Sequence, residues 1–239
     1  MLKRAHHRRI EIVLRALDHE LLINHQCYFG GGTAIALAFG EYRESVDIDF
    51  EVSSNAGYRE LRSVVKSKGG IANLFNSDAP IRPAGRLRVD QYGIRTFITP
   101  DGGPPIKFEI ISEGRITLDS AGNEEICGTQ SLSARDMVAT KLLANSDRWA
   151  DPTTHHRDII DIAMMSPDNE LLRTALEKAE PPYQTVKADL EKAIERVRSD
   201  PTCLDKGIKA MKMDVPRAVL WKNISTVSRR LAALNSTKA

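Results

Sequence analysis

The sequence has few cysteines and no long apolar run, and both absences narrow the classes of protein it can encode. Cys27, Cys127 and Cys203 are widely spaced and form no CxxC pair, so we expect neither a disulfide framework nor a zinc site. No segment approaches the roughly 20 apolar residues of a membrane-spanning helix. The basic N-terminal segment also lacks the apolar stretch of a secretory signal. We therefore expect a cytoplasmic protein with no membrane partner.

A strong net charge is also missing. Lys and Arg total 34 against 32 for Asp and Glu, which gives a formal net charge of +2. Partners must therefore be inferred from local sites rather than from overall charge. The length of 239 residues and the 41% hydrophobic content suffice for one large domain or two modest ones.

Several common catalytic motifs do not occur. The sequence has no HExxH and no GxSxG, and the glycine-rich stretch from residue 30 lacks the lysine of a P-loop. His155 and His156 are therefore explained more simply as loop contacts than as metal ligands. Whether this pair contributes to a site stays open.

Hydrophobic periodicity separates a mixed first half from a helical second half. A helix is predicted over residues 9–22, a strand over 27–29, a helix capped by Thr33 over 33–40 and a strand over 45–52. A helix over 58–68 and strands over 86–92, 93–100 and 104–112 follow. From Ser131 onward the pattern predicts only helices, punctuated by prolines. We predict an α/β (α+β) domain at residues 1–125 with a mixed sheet, and a helical bundle at 126–239.

The stretch from Tyr28 to Ser53 combines three glycines with two aspartates. In the predicted strand, Asp47 and Asp49 share one face with Cβ atoms roughly 7 Å apart, which suits the binding of one or two divalent cations. A glycine turn that enters a helix exposes backbone N–H groups to phosphate oxygens at the positive end of the helix dipole. Each feature alone has an ordinary explanation, a turn or a solvated strand face. Their ordered combination favours phosphoryl transfer.

The segment GGTAIAL followed by R-x-S-x-DIDF resembles the signature of the AbiEii/AbiGii toxin family. These proteins are nucleotidyltransferases of the DNA polymerase β-like superfamily, found in type IV toxin–antitoxin and abortive-infection systems, and include MenT-like toxins that modify tRNA. The resemblance implies a nucleotidyltransferase fold in which Asp47 and Asp49 hold Mg²⁺ and a nucleoside triphosphate. It also implies that Gly31, Gly32, Arg43 and Ser45 bind the nucleotide. The Thr33 hydroxyl, at the end of the glycine turn, is expected to add another donor to the phosphates.

The same resemblance implies three further site residues. Glu109, on a strand where alternation places it beside Lys107, would be a third metal ligand; without the resemblance it is equally well explained as a surface glutamate. Lys141 would neutralise the triphosphate or the departing pyrophosphate. Asp158, in an R-D-x-x-D motif, would orient that lysine or assist the incoming hydroxyl. Asp161 is equally well explained as a charge near a helix N-terminus.

The expected reaction transfers a nucleoside monophosphate to an acceptor hydroxyl in a cleft between the two domains and releases pyrophosphate. The resemblance makes RNA, particularly the tRNA 3′ end, the leading acceptor, and an antitoxin a possible partner. Protein nucleotidylation and a non-catalytic module that binds nucleotide or antitoxin are the alternatives. The stretch IRPAGRLRVDQYGIR could contact a nucleic-acid backbone, although a solvated strand face is the simpler explanation.

Overall fold

The computed structural model describes residues 2–119 and 124–236. Their contacts group into two compact units. The first unit consists of Met1–Glu41 and Ser45–Ser133, and the second of Tyr42–Glu44 and Ala134–Ala239. The predicted division into domains at residues 1–125 and 126–239 stays a prediction.

The first unit combines helices with a mixed sheet. Its helices are α1 (Ala5–Ala16), α2 (His19–Asn24), α3 (Gly31–Ala38) and α4 (Asn55–Lys66), with a 3₁₀ turn at Gly70–Leu74. Its strands are β1 (Cys27–Gly30), β2 (Ile48–Val52), β3 (Arg82–Pro83), β4 (Arg88–Val89), β5 (Gly93–Thr99) and β6 (Ile106–Ser112), and β7 (Glu125–Ile126) and β8 (Thr129–Gln130) form a separate pair.

The main sheet has the order β1-β2-β6-β5-β3, with β4 also paired to β5. Strands β2 and β6 run parallel, and the other pairs are antiparallel. The predicted α/β class with a mixed sheet is therefore confirmed.

One face of this sheet is apolar and completely covered. Phe29, Phe50 and Phe108 are fully buried, and their rings lie 5.5 Å and 5.7 Å apart from centre to centre. Because side chains alternate along a strand, burial of these residues turns the intervening polar side chains to the opposite face. That opposite face carries Asp49 and Glu109.

The second unit is helical around a central buried helix. It consists of α5 (Ala134–Arg148), α6 (Arg157–Met165), α7 (Asn169–Ala179), α8 (Val186–Ser199), α9 (Thr202–Ala210) and α10 (Arg217–Ser236). Helix α5 packs against α6, α7 and α8, and Leu142 and Leu143 are fully buried. No helix in the described ranges combines the length and the apolar character needed to cross a membrane.

Some predicted boundaries are wrong. The helix expected over residues 9–22 is two helices, because Asp18 begins a new one by accepting a hydrogen bond from the Leu21 N–H. Helix α3 begins at Gly31, so Thr33 lies in its first turn and does not cap it. Strand β2 begins at Ile48, which leaves Asp47 just before the strand and Val46 48% exposed.

Candidate active site

The glycine turn lies directly against Asp49. Gly30 at the end of β1 is paired with Asp49 of β2, and Gly31 follows with φ of +67°. A Cβ atom built on Gly31 would lie 2.7 Å from Oδ2 of Asp49, a distance that side chains do not tolerate. Position 31 therefore requires glycine for two reasons. The backbone there is left-handed, and the Asp49 carboxylate lies too close for a side chain.

Helix α3 begins at the same point, and its first turn has no side-chain cap. The N–H groups of a first helical turn lack partners within the helix, and they carry the positive end of the helix dipole. Uncapped N–H groups can bind phosphate oxygens. A carboxylate beside them can bind a cation that the same phosphate also contacts.

Glu109 lies opposite Asp49 across the parallel pair of β2 and β6. Residues directly opposite in neighbouring strands point to the same face, so both carboxylates belong to the polar face of the sheet. Glu109 is 9% exposed. Its Oε1 lies 3.1 Å from Nε of Arg95, and its Oε2 forms an ion pair with Lys107.

Lys107 is the cation shared by the three predicted metal ligands. Burial alone would lower the pKa of Lys107, but Glu109 first, and then Asp47 and Asp49, raise it above its ordinary value. All three carboxylates therefore act on one ammonium group. Within residues 2–119 and 124–236, no three His, Cys, Asp or Glu side chains converge into a ready-made metal group.

A hydrogen-bonded loop positions Asp47. The Thr33 hydroxyl donates to the Asp47 carbonyl at 2.6 Å and lies 2.8 Å from the Ser45 hydroxyl. Thr33 is 1% exposed, so its single hydroxyl proton is used inside the protein. This hydroxyl fixes the backbone of Asp47, and its expected role as a donor to phosphate stays a prediction.

His7 holds the same loop from α1. Its Nε2 accepts the Ser45 N–H at 3.1 Å, and its Nδ1 lies 2.8 Å from Oε1 of Glu41. Since Nε2 must accept, the neutral ring carries its proton on Nδ1 and donates it to Glu41. Burial lowers the pKa of His7 below its ordinary value, although Glu41 acts in the opposite direction.

The predicted Lys141 and Asp158 lie together in the second unit. Lys141 occupies the middle of α5 and is 6% exposed. Its Nζ lies 3.2 Å from Oδ1 of Asp158 and 2.8 Å from Oδ2 of Asp161. Arg148 adds two bonds to Asp158, at 2.6 Å and 2.8 Å. The pairing predicted between Lys141 and Asp158 is present, and their catalytic roles stay predictions.

Asp161 is the most heavily bonded carboxylate of this cluster. It is fully buried and receives Nε and Nη2 of Arg43 at 2.8 Å and 3.0 Å, together with the Tyr42 hydroxyl at 2.5 Å. Burial alone would raise the pKa of Asp161, but Arg43 and Lys141 hold it well below its usual range. Asp161 is therefore a buried carboxylate held by two cations, and its position near a helix N-terminus alone does not explain it.

Arg43 and Ser45, both predicted to bind nucleotide, are occupied by these contacts, and their roles toward nucleotide stay predictions. Arg43 is 5% exposed and binds Asp161 in the second unit, whereas Ser45 belongs to the first. His155 and His156 both have positive φ at the start of α6. Nδ1 of His156 is buried and has no hydrogen-bond partner in the described part of the chain.

Sequence reasoning missed three cations at these sites: Arg95 beside Glu109, Arg148 beside Asp158, and Arg43 as the partner of Asp161. Helical spacing offered one usable signal, because Lys141 and Arg148 are two turns apart on one face of α5. The partner of Asp161 is 118 residues distant in the chain, and no local pattern could reveal it.

Comparison with known proteins identifies the family of this chain. The model of a family described as the AbiEii nucleotidyl transferase toxin of type IV toxin–antitoxin systems matches residues 13–224, which is most of the chain. The chain is therefore a nucleotidyltransferase. It belongs to the AbiEii toxin family, and a type IV toxin–antitoxin system implies an antitoxin partner.

One solved structure shares the fold at low sequence identity, and a second has a lower similarity. A protein from H. pylori, assigned provisionally as a nucleotidyltransferase, is 15% identical over 96% of each chain, with a TM-score of 0.52. JHP933 from Helicobacter pylori is 16% identical over 98% of this chain and 100% of its own, with a TM-score of 0.46. Among curated proteins, no significant match is found.

Proposed function

We propose that this nucleotidyltransferase uses Mg²⁺ to transfer a nucleoside monophosphate from a nucleoside triphosphate to an RNA hydroxyl in the cytoplasm. The leading acceptor is the tRNA 3′ end. The observation that carries this proposal is the contact between Asp49 and Gly31, because it places a carboxylate against the uncapped start of α3.

The carboxylates fit a magnesium ion by their chemistry. Mg²⁺ prefers hard oxygen ligands and is usually held by one or two carboxylates together with substrate phosphates. Asp47 and Asp49 would supply these oxygens, and the missing Cβ of Gly31 leaves room beside Oδ2 of Asp49. Glu109 would join them only after giving up its ion pairs with Lys107 and Arg95.

When bound, the ion would neutralise charge on the phosphates and polarise the α-phosphorus. The N–H groups at the start of α3 would hold phosphate oxygens, and the hydrogen bonds of Thr33 and His7 would keep Asp47 in place. The acceptor oxygen forms a bond to the α-phosphorus, the bond to pyrophosphate breaks, and the hydroxyl proton leaves with solvent. Lys141 remains the predicted residue for balancing phosphate charge, and Asp158 the residue predicted to orient this lysine or to assist the incoming hydroxyl.

The test supplies each of four α-labelled nucleoside triphosphates with Mg²⁺ and total tRNA. Asp47→Asn and Asp49→Asn keep side-chain shape while removing the charge, and we expect both to abolish labelling. Asp205→Asn is the matched control, because Asp205 is exposed on α9. Full activity in either of the first two variants would overturn the proposed site.

The destination of the label separates the acceptors. Label in RNA supports the proposal, whereas label in protein would show nucleotidylation of protein instead. If purified protein binds a nucleotide and labels nothing, the fold serves as a binding module and the proposed reaction is wrong.

A further inference from the structure

Three exposed arginines near the edge of the main sheet have no role in the site described above. Arg82 lies on β3, Arg88 on β4, and Arg86 in the turn between these strands, and all three are exposed. No ion pair joins any of them to a carboxylate within the described residues. Unlike Arg95, which is shared between Asp90 and Glu109, they present uncompensated positive charge.

An exposed aromatic ring lies on the strand beside them. Phe97 of β5 is 45% exposed, although neighbouring residues of β5 are buried on the opposite face. A Cβ atom built on Gly85 would come within 3.0 Å of Cδ2 of Phe97, so the ring rests on the backbone of this glycine. A ring supported on one side and open on the other is suited to stacking with a planar group.

The ring and the arginines are continuous with the carboxylates of the site. Phe97 is directly opposite Lys107, Arg95 is opposite Glu109, and Arg88 is opposite Arg95. Opposite residues share a face, so a single row crosses the sheet from Asp49 through Glu109 and Arg95 to Arg88. With neighbouring strands roughly 4.8 Å apart, Arg88 lies about 14 Å from Asp49 along this row.

We propose that Arg82, Arg86, Arg88 and Phe97 form a surface that binds a single-stranded segment of the RNA acceptor. This proposal rests on the proposed function, and it adds the part of the chain that holds the acceptor. Arginines bind phosphates through planar, bidentate contacts, and bases of any sequence stack on exposed aromatic rings. An acidic peptide would satisfy the arginines, but it offers no planar base for Phe97, so the ring favours RNA.

The binding test uses a fluorescein-labelled single-stranded RNA and measures anisotropy at several salt concentrations. The variant Arg82→Glu/Arg88→Glu should bind at least tenfold more weakly. It should also reduce the slope of log K against log salt by about 1.4, or roughly 0.7 for each lost phosphate contact. Phe97→Leu should weaken binding by about 5- to 150-fold with an unchanged salt slope, because stacking is lost and charge is kept.

The matched control is Arg59→Glu/Lys66→Glu, which makes the same charge change at exposed positions of α4. It should bind RNA nearly as well as the unmodified protein. If Arg82→Glu/Arg88→Glu binds RNA as well as this control does, or if the unmodified protein binds no RNA, the proposal is wrong. Poly-L-glutamate is measured in parallel, and a selective loss of its binding with RNA binding kept would assign the surface to an acidic protein instead.

The transfer assay separates this proposal from the proposed function. With labelled nucleotide and tRNA, Arg82→Glu/Arg88→Glu should raise KM for tRNA at least tenfold while KM for the nucleotide stays unchanged. Normal kinetics in this variant would overturn the RNA surface and leave the proposed function intact. If the unmodified protein binds RNA through this surface but labels none, the surface stands and the proposed reaction fails.

Discussion

Replacing Gly31 with alanine should strain the backbone and displace the Asp49 carboxylate at the same time. Gly31 has φ of +67°, and an added Cβ would lie 2.7 Å from Oδ2 and 2.9 Å from Cβ of Asp49. Asp49 is on β2, which is hydrogen-bonded on both sides by β1 and β6. Its backbone therefore cannot move away from the new methyl group without disturbing the sheet.

Two costs add in this variant. A residue with a side chain pays about 1–2 kcal/mol for the left-handed conformation, and overpacking a tight contact costs about 1–3 kcal/mol. We therefore expect Gly31→Ala to lower the free energy of unfolding by about 2–5 kcal/mol. Gly40→Ala is the control, because Gly40 also has a positive φ of +84° but nothing lies within 4 Å of its added Cβ. This control should show only the first cost.

Urea unfolding measures both variants, and titration with Mg²⁺ under native conditions shows whether the carboxylate has moved. Gly31→Ala should be less stable than Gly40→Ala and should bind Mg²⁺ more weakly than the unmodified protein. If the two alanine variants lose the same free energy of unfolding and bind Mg²⁺ equally well, the contact between Gly31 and Asp49 does not exist in solution.

Two other predictions concern buried charge. Asp161→Asn leaves Arg43 and Lys141 buried without their shared counter-charge, which should cost about 3–5 kcal/mol in urea unfolding; a midpoint as little changed as that of the exposed Glu170→Gln would contradict this. Because the pKa of His7 is lower in the folded protein than its ordinary 6.5, the unfolded chain binds more protons just below pH 6.5. His7 therefore stabilises the folded protein above pH 6.5, and this stabilisation is lost as the pH falls. The unfolding free energy should drop between pH 7.5 and 5.5, less steeply in His7→Gln, and equal slopes would refute this role.

Alternation predicted the orientation of the strand residues but not the point at which strand β2 begins. Polar and apolar residues alternate from Ser45 onward, yet the strand begins at Ile48. The Ser45 N–H is bound by His7, 38 residues away, and the Asp47 carbonyl is bound by Thr33. These backbone groups cannot also join the sheet, and contacts so distant in the chain leave no local pattern.

In the candidate site, too, local sequence patterns predicted some features and missed others. The order of the glycine turn and the aspartates was readable because both lie in one short stretch, and Glu109 shares the face of Lys107 as alternation predicts. The burial of Asp161 was not readable, because aspartate is rarely buried unless it is paired. Its burial depends on Arg43, which joins it from a different part of the chain.

The segment Tyr42–Glu44 belongs to the second unit, although the residues on both sides of it belong to the first. Its backbone is bonded there, since the Glu44 N–H donates to the Met211 carbonyl and the Asp214 N–H donates to the Tyr42 carbonyl. A fragment that ends at Ser133 would therefore carry Arg43 without Asp161. Cutting the chain at one point therefore cannot give two complete units. Recombination between related proteins would have to exchange both units together to keep Tyr42–Glu44 bonded to its partners in the second unit.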